Sequence, residues 1–242
     1  MSFFKPQQPI LQKKQLSFNS QQLISLRCLR VKFLEFIHLS GIYTCIDQAM
    51  MIWGVVAGII FMGAQFLSIN WTDQAIFWSI ITLIAIIIMI NLTHSWTMVE
   101  KIAWLLYGWV ALMVIGIIIT DCSIVYHWGI ILSHLCHLWL ILSTIGYGLT
   151  AWGMRSRAFV IATIVHGISI GFLPWFSSYQ FAITGLIMMS NLLIFAEGQW
   201  DMLLPRELRE YLPQTINNTS HITGVRNHDS LVRIKTFVTN NM

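Results

Sequence analysis

The sequence predicts an all-α, polytopic membrane protein with six transmembrane helices and both ends on the cytoplasmic side. Three observations carry this. Apolar runs of about 20 residues, the length that crosses a bilayer, recur between residues 49 and 196. Hydrophobic residues make up 56% of the 242 and charged residues only 10%, against about 25% charged in a soluble domain. Mean hydropathy is +0.69. Finally, all 14 Lys and Arg can be placed on one side of a membrane, as cytoplasmic loops require. Runs such as Ile80 to Ile90 do not alternate apolar and polar residues, which argues against a β-barrel.

Residues 1–22 read as a polar, Gln-rich cytoplasmic arm. They show no apolar core of a signal peptide, although the basic, acid-free stretch before Glu35 also fits an organellar transit peptide. Residues 23–46 read as an amphipathic interfacial helix. Leu26, Leu29, Phe33, Phe36 and Ile37 share one face, and Arg27, Arg30, Glu35 and His38 lie opposite. That many charges suit the bilayer surface better than its interior.

The transmembrane domain is expected over residues 47–197. Its spans run about Ala49–Ile69, Ala75–Leu92, Ile102–Ile119, Ile124–Ala151, Ala158–Leu173 and Tyr179–Ala196, the fifth stopped by Pro174. Asn70 to Asp73 and Thr120 to Ser123 read as outer turns, His94 to Lys101 and Arg155 to Arg157 as inner connectors. The inner side then holds 14 basic and 8 acidic residues, and the outer side only Asp73 and Asp121. Trp53, Trp96, Trp104, Trp152 and Trp200 would mark the inner interface, and Trp71, Trp128 and Trp175 the outer one.

Residues 198–242 form a cytoplasmic tail: a short surface helix ended by Pro213, a linker, and a strand-like stretch from Ser230 to Val238. Cys122 and Cys136 would lie about 21 Å apart on one helix, and no structural disulfide is expected.

The residues best suited to chemistry are His127, His134 and His137 on one face of the fourth span, with Asp121 just before it. Histidine with carboxylate is a ligand set for zinc or another divalent metal, and closing such a site needs a further ligand from a second helix. Hydrogen bonding to neighbours such as Gln65 is the plainer role for these histidines. His166, near the middle of the fifth span, reads as a buried neutral imidazole, or as an axial haem ligand paired with a methionine. Ser133, His134 and Asp121 are the residue types of a hydrolytic triad, but adjacent positions on a helix point about 100° apart, so Ser133 and His134 are not expected to pair. Gly54 with Gly58, and Gly167 with Gly171, form small-xxx-small faces for close helix packing.

No Lys, Arg or carboxylate falls in the middle of a span, where ion-coupled transporters place them. No phosphate loop, CxxC or HExxH motif is present. The leading expectation is therefore an integral subunit, scaffold or assembly factor without catalytic motif, of the plasma or inner membrane, and no cofactor is expected. Its partners would be the bilayer, other membrane proteins, and anionic lipid at the cytoplasmic face, and not nucleic acid. The alternatives are a metal- or haem-binding protein using the His cluster, and a small-solute channel or carrier lined by Gln65, His166 and Asn191.

Overall fold

The computed structural model describes residues 9–13 and 44–201. The expected amphipathic helix before Thr44, and the helix, linker and strand expected after Asp201, lie outside the described residues.

Helix α1 (Cys45–Phe66) begins with a reciprocal cap. The Thr44 amide donates to the Asp47 carboxylate at 2.8 Å, and the Asp47 amide donates to the Thr44 hydroxyl at 3.3 Å. This satisfies two of the amides that every helix start leaves free. The helix therefore starts inside the stretch expected to be interfacial, and Cys45 and Ile46 are buried in the bundle. Helix α2 (Trp71–Val99) is capped by Asn70, which accepts from the Thr72 amide at 3.2 Å. It runs past the expected span at both ends, so the stretch from His94 to Val99 is helical and not a connector.

The next turn does not lie at Thr120 to Ser123. Helix α3 (Ala103–Val125) runs straight through Thr120 to Ser123. Those polar residues make their bonds within the bundle. The Ser123 hydroxyl donates to the Thr120 carbonyl at 2.7 Å, and the Ser79 hydroxyl of α2 donates to the Asp121 carboxylate at 2.7 Å. Away from water a hydroxyl takes the nearest helix carbonyl and need not break the helix. The turn is instead Tyr126–Trp128, followed by the short α4 (Gly129–Leu132) and then α5 (Leu135–Met154).

Three helix ends turn on a residue in the left-handed region: Lys101 (φ 58°), His127 (φ 53°) and Arg155 (φ 48°). After α3, the Trp128 amide reaches the Ser123 carbonyl at 2.9 Å and the His127 amide reaches Ile124. After α2, the Ile102 amide reaches Thr97 at 2.9 Å. These are the bonds with which a left-handed residue closes a helix, a position that glycine usually fills.

Helix α6 (Arg157–Phe172), a 3-10 segment (Leu173–Tyr179) and α7 (Gln180–Glu197) complete the bundle. Among the described residues, five helical segments are long and apolar enough to cross a membrane, and the fifth is the whole of Arg157–Glu197, 41 residues. Drawn straight it would measure about 60 Å. It does not run straight. Phe176 leaves helical geometry (φ −117°, ψ 38°), and Asp201, just past its end, bonds the residues at its start.

The helices close a ring: α1 packs on α2 and α7, α2 on α3, α3 on α5, and α5 on α6 and α7. Apolar side chains point outward, as Ile76, Ile80, Ile84 and Ile87 do along α2. Small polar ones point inward, as Thr82, Thr93, Ser143, Thr150 and Thr184 do. A surface this apolar around a polar-dotted interior suits a hydrocarbon solvent. The chain is consistent with a membrane-spanning helical protein.

Beyond α7, strand β2 (Gly198–Trp200) pairs antiparallel with β1 (Leu11–Lys13), Leu11 opposite Trp200 and Lys13 opposite Gly198. Trp200 is buried against Phe159, ring centroids 4.7 Å apart. It belongs to the core. So does Trp96, while Trp53 donates its indole N–H to the sulfur of Met89 at 3.1 Å.

Candidate functional site

The His cluster does not form on one helix face. His127 is the left-handed turn residue after α3 and is exposed. His134 is the half-helical residue entering α5 (φ −119°, ψ 18°), and His137 lies one turn into it. The His134 and His137 rings approach to 5.2 Å between centroids. Asp121 turns toward α2 and Ser79. Among the described residues no three His, Cys, Asp or Glu side chains converge in a way that could hold a metal ion.

Ser133 and His134 do meet, contrary to expectation. The serine oxygen lies 2.9 Å from His134 Nδ1, because the chain leaves helical geometry between α4 and α5. The pair is nonetheless unsuited to nucleophilic catalysis. Nδ1 lies 2.8 Å from the Ile130 carbonyl, which only accepts, so Nδ1 carries the proton. The Ser133 hydroxyl donates to the same carbonyl at 2.9 Å. A base in Nδ1 needs a free lone pair there.

Of the other polar candidates, Gln65 is bound up in structure. Gln65 donates to the Ser178 carbonyl at 3.0 Å and accepts from the Ala182 amide at 3.3 Å. It ties the end of α1 to the start of α7. His166 is fully buried, donates Nδ1–H to the Ala162 carbonyl at 2.9 Å and lies 4.8 Å from the Tyr147 ring. Its Nε2 and the Asn191 amide nitrogen are buried without a hydrogen-bond partner among the described residues. Cys45, Cys122 and Cys136 are free thiols, the last two on different helices.

The two glycine pairs differ. A β-carbon on Gly54 would lie 3.3 Å from Leu192 and Leu193, and one on Gly58 would lie 2.6 Å from the Met189 sulfur, so this pair packs on α7. Gly185 on α7 answers it against Phe61 at 2.6 Å. Gly167 makes only ordinary contact with Thr144, and Gly171 faces open space. Among the described residues this second pair makes no close helix contact.

What sequence reasoning missed is the centre of the ring. A cavity of about 170 Å³ lies there. Trp53, Trp96, Trp109 and Trp139 line it, with Met50, Met89, Met113, Met154 and Met188. Its polar groups are few. The Thr93 and Thr150 hydroxyls are already turned onto the Met89 and Gly146 carbonyls, each at 2.8 Å. The signal available in sequence was the polar register Thr82, Thr93, Thr97 within an otherwise aliphatic α2. Methionine is the side chain that best adapts to variable occupants.

At the end of the bundle where β1 and β2 pair, Asp201 closes the fold. Its carboxylate accepts from the Ser156 hydroxyl at 2.7 Å, the Arg157 amide at 2.9 Å, Arg157 Nε at 2.8 Å and the Ala158 amide at 3.1 Å. Burial pushes the Asp201 carboxyl up, but these donors together hold it below its ordinary value.

No family model, no curated protein and no solved structure matches this chain.

Proposed function

We infer that the chain crosses the membrane six times, with both arms on the basic side, and acts as a subunit or scaffold without catalysis of its own. The observation that carries this is the pairing of Leu11–Lys13 with Gly198–Trp200. It joins the two arms at one end of the bundle, as an even number of crossings requires. The return of Asp201 to the start of α6 supports reading Arg157–Glu197 as two crossings. The two arms carry most of the Lys and Arg, which suits an anionic lipid surface or a protein partner.

Two experiments test this. Epitopes placed at each end should be digested by protease from the same side of sealed vesicles, and opposite sides would overturn the six-crossing topology. The tagged full chain, purified in mild detergent, should carry a membrane partner in stoichiometric amount, lost when Lys5, Lys13, Lys14, Arg27, Arg30 and Lys32 are replaced by Gln. A partner-free monomer that turns over a substrate would overturn the scaffold reading.

A further inference from the structure

A second, smaller cavity of about 30 Å³ lies among α1, α2, α3 and α5, toward the end of the bundle where α3 finishes. That is room for one water-sized guest. Two helices bring oxygen to its wall: Thr120 and Asp121 from α3, Ser79 and Thr82 from α2. The Ser79 hydroxyl donates to Asp121 Oδ2 at 2.7 Å. Asp121 Oδ1 is buried and has no hydrogen-bond partner among the described residues. The same holds for the hydroxyl oxygen of Thr120, a residue only 4% exposed.

These oxygens ask for a donor, since an ionised carboxylate only accepts and a hydroxyl can accept as well as donate. The carboxylate also asks for positive charge, because an unpaired one is costly away from water. Lys13, Lys101, Arg155 and Arg157, the Lys and Arg among the described residues, all belong to the other end of the bundle, where α2 and α5 finish and β1 pairs with β2. Asp121 lies about 27 Å along α3 from that end. Phe61, Trp78, Trp139 and Phe181 bring ring surface to the wall, and such rings attract a cation where aliphatic groups do not. A hard metal cation takes about six or more oxygens, more than these side chains bring.

We propose that this cavity binds one water-sized monocation that donates hydrogen bonds, with Asp121 Oδ1 and Thr120 Oγ1 as its acceptors. Two sources supply that chemistry: an ammonium ion, or a hydronium ion, which is a proton carried by a single water. The site is independent of the role of the arms.

The test measures thermal unfolding midpoints of the full chain in one mild detergent, with ammonium, potassium or choline chloride at fixed total salt and pH. Potassium is similar in size to ammonium but donates no hydrogen bond, and choline is too large for the cavity. Ammonium should raise the midpoint above both, by about 3–5 °C for each tenfold increase beyond its dissociation constant. Asp121→Asn and, independently, Thr120→Val should abolish that rise. Both variants keep the shape of the residue, and if one misfolds the other decides.

For hydronium, midpoints without ammonium are compared between the unmodified chain and each variant from about pH 8 to 5. A site that takes up a proton only when folded should stabilise the unmodified chain relative to the variant as pH falls. Asp73 on α2, Cys122, Tyr126 and His127 around the end of α3, His134, Cys136 and His137 around the start of α5, and Tyr179 before α7 also titrate in this part of the bundle. None of them lines the cavity, and all remain in both proteins, so their contribution cancels in the difference. A rise selective for ammonium assigns ammonium, and a pH difference alone assigns hydronium. Neither effect, an equal rise with potassium, or a rise that survives in a folded variant would overturn the proposal.

Discussion

The indole of Trp109 on α3 occupies the space that a side chain on Gly146 of α5 would need. The same exchange repeats along the helix pair. Trp104 sits at Gly153, where a β-carbon would meet it at 2.9 Å, and Trp139 sits at Gly116, at 2.8 Å. As the position on α3 rises, the matching position on α5 falls, as an antiparallel pair requires. Trp109 is also fixed by its indole N–H, which donates to Thr150 Oγ1 at 3.0 Å. Gly146→Val should therefore destabilise the protein by about 1–3 kcal/mol through overpacking. Gly171→Ala, facing open space, should be neutral or stabilise by up to about 1 kcal/mol through helix propensity. Thermal unfolding in one detergent, followed by circular dichroism, compares the two.

Asp201 should govern acid stability. Its carboxyl lies below its ordinary value of 3.8. A depressed carboxyl contributes stability that is fully present above the unfolded value and is lost as pH falls through the folded one. The protein should hold its stability down to about pH 4 and lose part of it below. Asp201→Asn should cost about 1–3 kcal/mol at pH 7 and flatten that acid limb. Unfolding midpoints measured from pH 3 to 7 in both proteins, on the order of five points each, check the sign and the window.

The left-handed turn residues are replaceable. A non-glycine residue there costs about 1 kcal/mol. Lys101→Gly and His127→Gly should leave stability unchanged or raise it by up to about 1 kcal/mol, and His127→Val should lower it. Denaturation midpoints of the three variants give the order.

Ser79 should matter to Asp121. The Ser79 hydroxyl is bonded to Asp121 Oδ2, and Oδ1 is buried without a partner among the described residues. Ser79→Ala should cost about 1–3 kcal/mol, and Asp121→Ser in that background should recover part of it. A double-mutant cycle on thermal midpoints measures this.

The His134–His137 pair, 5.2 Å between centroids, gives the metal reading a direct test. Elemental analysis of the purified protein should find no stoichiometric metal. One zinc per chain that is lost in His137→Ala would establish a metal site completed by another element.

Hydropathy made the helical character of the chain and its compatibility with a membrane readable, because the bilayer imposes a span length on any chain that crosses it. Helix ends were readable where a polar side chain caps them, as Asn70 caps α2. They leave no such mark where the cap is backbone alone, as at His127, and polar residues satisfied inside a helix imitate a turn, as from Thr120 to Ser123. That one displaced turn broke up the expected His face and brought Ser133 and His134 together.

The local order of amino acids determined that these segments are helical and apolar, since backbone bonding and transfer from water act residue by residue. The tertiary structure alone decided that Trp109 meets Gly146, that Asp201 closes the start of α6 and that a cavity remains at the centre. Each of these joins residues tens of positions apart. Each depends on which faces of neighbouring helices meet, and a hydropathy pattern around a helix carries little of that choice when lipid makes both faces apolar.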